Sequence, residues 1–269
     1  MDIAAVTNEV VPGTQPGTLR RVFETAVGQG ITTFEARTIE GRRFPLVAPD
    51  VWDQLVQARK EFGIVYSAIS PGIFIRATAD SDLIAIHAAE LVDMSLRMGE
   101  KLGVDTLIVF APDRAPAHSD TDFSKVVDLL GAVTERAAAH GYQVQLENLP
   151  GSYADTSDAC LALLDAVGHK HLGYVWDTGN LYEAEGATFE AGLAKLAPYI
   201  RNVHLKDGRL IDGKMTWQHF GTGVTNVKGQ VEALKAMGYS GTLVLEAACD
   251  PHAPDDFATS LTYLKALCA

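Results

Sequence analysis

Eight times along this chain a short apolar run rich in β-branched residues gives way to a longer stretch of helical periodicity, and this alternation limits the fold more than any other feature. The strand runs are Ile3–Val6, Ile31–Glu35, Gly63–Ile69, Asp105–Phe110, Gln143–Glu147, Leu172–Trp176, Ile200–Leu205 and Thr242–Leu245. The helical patterns are Thr14–Gly30, Pro49–Phe62, Asp80–Leu102, Asp122–His140, Thr156–Val167, Thr188–Ala197, Val224–Met237 and Pro254–Cys268. Strands that alternate with helices form βαβ units and a parallel sheet. Eight units without a linker predict an α/β fold, a single (β/α)8 TIM barrel filling one domain over residues 1–269. An open doubly wound sheet would want a Gly-rich turn after an early strand, and Val6-Thr7-Asn8-Glu9 has none. The sixteen residues of Gly208–Gly223 exceed the usual strand-to-helix loop and read as a long functional loop.

In such a barrel the chemistry lies at the C-terminal strand ends. Strands five to eight finish with Glu147, Asp177, His204 and Glu246, each able to bind a metal. The residues before them, Leu146, Trp176, Val203 and Leu245, are expected to face the helices, which turns the four polar side chains inward. Neighbouring strands lie roughly 5 Å apart, so the four converge on one side of the mouth. Packed carboxylates resist joint ionisation, and a divalent cation relieves them. Three oxygens and an imidazole suit Mn²⁺, Mg²⁺ or Co²⁺, with Zn²⁺ also compatible. The competing reading is that each carboxylate caps the next helix or pairs with Arg or Lys.

Composition narrows the partners. The net charge of −12 speaks against a nucleic-acid or anionic-membrane surface and leaves small neutral substrates open. Three cysteines, Cys160, Cys249 and Cys268, are odd in number and far apart, so a disulfide framework is not expected. Met1–Val6 has no signal-peptide pattern, and no run reaches the ~18 apolar residues of a membrane span; a cytoplasmic protein is the expectation. There is no P-loop, Rossmann fingerprint or Gly-x-Ser-x-Gly elbow.

Leu146-Glu147-Asn148, Trp176-Asp177-Thr178-Gly179-Asn180, Asn202-Val203-His204-Leu205-Lys206-Asp207, Gly221-Thr222-Gly223 and Val244-Leu245-Glu246 together resemble the xylose-isomerase-like barrel superfamily. That group includes ketose 3-epimerases, inosose dehydratases, hydroxypyruvate isomerases and endonuclease IV nucleases. The resemblance implies that Glu147, Asp177, His204 and Glu246 bind one Mn²⁺-like ion. It also implies that Glu147 and Glu246 flank the reacting carbon and move its proton. An acid and a base on opposite faces are what epimerisation α to a carbonyl requires.

The chain departs from the epimerases in having Asn180 where their strand-six motif carries His, and in lacking the further acidic residue after strand five. The substrate side is expected to involve Asn180, Lys206, Arg209, Glu35, Trp217 and His219. Lys206 either stabilises an oxyanion or carboxylate or pairs with Asp207. Glu35 either contacts substrate, supports the site from behind, or pairs with Arg37 or Arg42. His87, His118, His140, His169, His171 and His252 read as surface or capping groups. The leading expectation is a metal-dependent isomerase or epimerase acting on a small keto-sugar. The alternative is a dehydratase or lyase on a keto-inositol or keto-sugar, and the third reading is a non-catalytic metal-stabilised binding protein. Enzymes of this resemblance often pair, so a homo-oligomer is compatible.

Overall fold

The computed structural model describes residues 1–11, 17–79, 81–114, 120–247 and 256–269. His118, Cys249 and His252 lie outside these residues, as do the expected starts of three helices at Thr14, Asp80 and Pro254. The eight long strands are β1 (Asp2–Val6), β2 (Thr33–Ala36), β3 (Val65–Ile73), β4 (Thr106–Val109), β5 (Gln143–Glu147), β6 (Leu172–Asp177), β7 (Ile200–Leu205) and β8 (Thr242–Leu245). They close in sequence order, β8 pairing back onto β1, and every pairing is parallel. The expected barrel is the observed one.

Period-two alternation sorts the side chains. Leu146, Trp176, Val203 and Leu245 join the large apolar cluster shared by strands and helices, with Leu19, Phe23, Leu96, Leu130 and Leu163 from the helices. Two small clusters, Ala4–Val6–Val244 and Ala68–Ile108–Val175, fill the barrel interior. Asn202 and His204 alternate with Val203 on β7 and so share the interior with Val244 and Glu246 of β8.

Four features differ from expectation. β3 runs on through Pro71 to Ile73, because the ladder skips residues between Ile69 and Ile73 and so needs no N–H from the proline. Thr178–Glu185 forms an extra helix directly after β6. The long segment after β7 is not an open loop: Asp207–Ile211 and Lys214–Gln218 pair as an antiparallel hairpin. Its turn residues Asp212 (φ 50°) and Gly213 (φ 75°) both have positive φ, as a two-residue Asp-Gly hairpin turn demands, and that dipeptide was the readable signal. A smaller hairpin after β2, Thr38–Ile39 with Arg42–Arg43, turns at Glu40 and Gly41, again with positive φ at both.

Candidate functional site

The ends of β5, β6, β7 and β8 bring Glu147, Asp177, His204 and Glu246 together. One ligand-type atom from each lies within 4.8 Å of all the others, and all four residues are buried. His204 Nδ1 is 3.5 Å from Glu147 Oε1, 4.0 Å from Asp177 Oδ2 and 3.3 Å from Glu246 Oε2. Glu147 Oε2, Asp177 Oδ2, His204 Nδ1 and Glu246 Oε2 are buried with no hydrogen bond. A buried polar atom without a partner is costly, and four aimed at one another make an incomplete coordination shell. The donor set, carboxylate oxygens plus one imidazole nitrogen, fits a divalent cation.

The orientation of each donor has a local cause. Asp177 is the N-cap of the helix Thr178–Glu185: its Oδ1 accepts from the amides of Gly179 (3.0 Å) and Asn180 (2.8 Å), leaving Oδ2 for the cluster. Capping and facing the cluster, which sequence reasoning set against each other, are both true of this side chain. His204 Nε2 lies 2.9 Å from Glu35 Oε2, and since a carboxylate can only accept, a proton sits on Nε2, which turns Nδ1 toward the cluster as the nitrogen a cation would take. Glu35 Oε1 accepts from Asn202 Nδ2. Glu35 is fully buried with both oxygens engaged, so it lies behind His204 and not at the substrate side, and it pairs with neither Arg37 nor Arg42. Asn148 ties β5 to β6, donating to the Asp177 carbonyl and accepting from the Asp177 amide and the Tyr174 hydroxyl.

Charge compensates unevenly. Glu246 Oε1 accepts from Arg37 Nη1 and lies 3.0 Å from Lys206 Nζ. Arg37 also donates to Glu9 Oε1 and to Asn8 Oδ1 at 3.0 Å. Burial would raise the Glu246 pKa, but Arg37 and then Lys206 hold it well below the carboxylate range. For Glu147 burial is likewise outweighed, by His204. Asp177 goes the other way: burial, reinforced by Glu246 and Glu147 and only partly offset by Lys206, pushes it up to about 6. His204 is raised well above the usual histidine value, burial being overcome by Glu35 and Glu147. This is the repulsion that a bound cation relieves.

The substrate-side candidates separate into two groups. Lys206 Nζ is 2.8 Å from Asp177 Oδ2, though not in hydrogen-bonding geometry, 3.2 Å from Asn180 Oδ1, and 5.7 Å from the centre of the Trp217 ring. Trp217 reaches there because residue 179 is glycine; a Cβ on it would come within 2.7 Å of the indole. Asn180 Nδ2 donates to the Asn148 carbonyl, so both ends of its amide are engaged. Arg209 and His219 stay apart from the four. Arg209 is exposed and donates to the Thr222 carbonyl, while His219 lines a shallow pocket with Phe220, Ala258, Thr259, Thr262 and Tyr263. Asp207 does not pair with Lys206. Its carboxylate accepts from the amides of Gly208, Gly221, Gly223 and Thr225 and from the Thr225 hydroxyl, pinning the hairpin. His87 is half-buried, and its Nδ1 accepts the Phe74 amide at 3.0 Å. Sequence reasoning named Arg37 and Asp207 only as possible partners of Glu35 and Lys206, and it gave Glu9 and Asn148 no role of their own.

An inosose dehydratase of Klebsiella pneumoniae is 30% identical over 194 residues, which are 64% of this chain and 63% of that protein. Another from Geobacillus thermodenitrificans is 28% identical over 174 residues, 58% of each chain. These matches span less than two thirds of the relatives' own length. Among solved structures, the IolI protein with a bound zinc atom superposes with a TM-score of 0.81 at 18% identity, covering 99% of this chain and 98% of that one. An L-ribulose 3-epimerase superposes at 0.76, also at 18% identity, covering 99% and 94%. Residues 23–267 match the xylose isomerase-like TIM barrel family, and the chain belongs to it.

Proposed function

We propose that this chain is a divalent-metal-dependent enzyme that removes a proton α to the carbonyl of a small polyhydroxy carbonyl compound. The observation that carries the reading is the four buried, unbonded donor atoms of Glu147, Asp177, His204 and Glu246 meeting at one point of the barrel mouth. A cation held by these four supplies Lewis-acid stabilisation of the negative charge that develops on the carbonyl oxygen. The protein does the rest. Glu147 and Glu246 come from the two outer strands of the four and present their carboxylates to the cluster, where each is placed to take or return a proton. Glu246 is held ionised by Arg37 and Lys206, as a base must be. The Lys206 ammonium lies beside the cluster, where it can bind an oxyanion or a departing hydroxyl. Trp217 covers Lys206 with a flat apolar face suited to the C–H face of a ring.

After proton removal two outcomes share this machinery. Return of the proton gives an isomer or epimer; loss of a β-hydroxyl as water gives a dehydrated product. Two observations favour dehydration: the curated relatives named above are inosose dehydratases, and Asn180 stands where an epimerase carries a histidine, with its amide already engaged. Incubating Mn²⁺- or Mg²⁺-loaded protein in D₂O with ketoses and keto-inositols separates the outcomes. Deuterium gained at the α-carbon with mass otherwise kept identifies an isomerase or epimerase. Loss of water identifies the dehydratase, and absence of exchange with every candidate leaves a metal-stabilised binding protein.

A further inference from the structure

Among the described residues, Arg37 and Arg43 from the segment after β2 and Lys206 from the end of β7 bring positive charge to the mouth. Arg37 is neutralised by Glu246 and Glu9, and Lys206 by Asp177 and Glu246. Arg43 is not neutralised: among the described residues no carboxylate lies within ion-pair distance of its guanidinium. Arg43 is half-buried, and a charge drawn even partly out of water without a counter-charge is expensive.

The chain goes to some length to hold this group. The small hairpin that carries it is tied to the end of β1 through Thr7 Oγ1, which donates to the Thr38 carbonyl, and to Arg37, whose carbonyl accepts the Phe44 amide at 2.7 Å. Glu40 in its turn accepts the Leu19 amide at 3.2 Å. From there the side chain crosses Gly72, where any Cβ would come within 3.3 Å of its Nε. Arg43 Nε donates to the Ser70 carbonyl at 2.7 Å and Nη2 to the Ser70 hydroxyl at 2.8 Å, and the guanidinium carbon lies 5.8 Å from the centre of the Phe110 ring. Ser70 and Phe110 stand at the C-terminal ends of β3 and β4, across the barrel mouth from the four-residue cluster. The Nε–Nη2 edge is therefore spent, and the Nη1–Nη2 end keeps two N–H groups in the fork that matches a carboxylate. Burial, with Arg37 second, lowers the Arg43 pKa to about 10 while Glu147 and Glu246 pull it back, so the group shares the electrostatic environment of the cluster.

We infer that Arg43 is the specificity residue for an anionic substrate, binding a carboxylate carried on the substrate at the end remote from the reacting carbonyl. The inference rests on the enolising function proposed above and narrows its substrate class from neutral keto-sugars or keto-inositols to carboxylated ones, keto-uronates and ring keto-acids. A neutral substrate would cover the half-buried guanidinium without supplying a counter-charge.

D-Fructose and D-fructuronate are a matched pair, differing by a hydroxymethyl against a carboxylate at the carbon farthest from the carbonyl end. Calorimetric titration of both into the Mn²⁺-loaded wild type, Arg43→Gln and Arg43→Lys decides the matter. The expected result is that wild type binds D-fructuronate at least ten-fold more tightly than D-fructose. Arg43→Gln should erase that advantage, Arg43→Lys should keep part of it, and D-fructose binding should not change. A second measurement needs no variant: D-fructuronate, and not D-fructose, should protect Arg43 of the wild type from phenylglyoxal, read by peptide mass mapping. Equal affinities, no fructuronate binding, a carboxylate advantage that survives Arg43→Gln, or labelling of Arg43 undiminished by D-fructuronate each overturn the inference. Deuterium exchange by the wild type into D-fructose but not into D-fructuronate sinks the inference and leaves the proposed function standing. Arg43-dependent binding without exchange of any candidate does the reverse.

Discussion

His204 has a nitrogen to offer the cluster because Glu35 takes the proton on the other. Glu35→Gln removes the charge that fixes that tautomer, and a Gln amide can turn a donor toward Nε2. Affinity for Mn²⁺ or Zn²⁺ should fall roughly 10–100-fold, as titration calorimetry would show, with little change in far-UV circular dichroism. Unchanged affinity would remove Glu35 from the support of the site. Glu246→Gln keeps a carbonyl oxygen for Arg37 and loses the basic one. Turnover should drop on the order of 10²–10⁴-fold with the fold intact, and undiminished turnover would end the base assignment. These contacts also mark what a sequence can disclose. Glu147, Asp177, His204 and Glu246 were readable because each ends an apolar run at an inward position of a period-two pattern. Glu35 with His204 and Arg37 with Glu246 are separated by 169 and 209 residues, and nothing local in either partner announces the other.

Elements hold these residues at fixed places, and the hairpin after β7 shows how closely. A Cβ on Gly223 would fall on the Asp207 carboxylate and the Gly208 backbone. Gly223→Ala should therefore displace the hairpin and cost ~1–3 kcal/mol. The melting temperature should fall by several degrees, and Trp217 fluorescence should shift as its packing on Gly179 loosens. A melting temperature equal to wild type would mean that Asp207 is not the pin described above. The Gly-Thr-Gly motif was visible in the sequence, but its reason was not. It is a clearance set by a carboxylate sixteen residues earlier. The helix Thr178–Glu185 escaped notice for a related reason. Its two turns carry no clear apolar stripe, and its start is dictated by the Asp177 cap.

At the scale of the whole molecule, the eight-fold alternation gave the barrel directly, since β-branched runs of this length separated by amphipathic helices have one economical closure. What alternation could not convey is that the closed barrel assembles three buried carboxylates, Glu147, Asp177 and Glu246, against one another. A folded state that carries this repulsion gains from anything that binds it and not the unfolded chain. At a free Mn²⁺ concentration 100 times its dissociation constant the gain should be about 2.7 kcal/mol, raising the melting temperature by several degrees, with reversal by EDTA. No shift with Mn²⁺, Mg²⁺, Co²⁺ or Zn²⁺ would contradict the metal assignment. Asp177 finally links this global effect to two particular hydrogens. One of its oxygens holds the amides of Gly179 and Asn180 while the other faces the cluster. Occupancy of the cluster is therefore transmitted to the first turn of a helix, and the amide exchange rates of Gly179 and Asn180 become a gauge of whether the centre is filled, readable in the absence of any substrate.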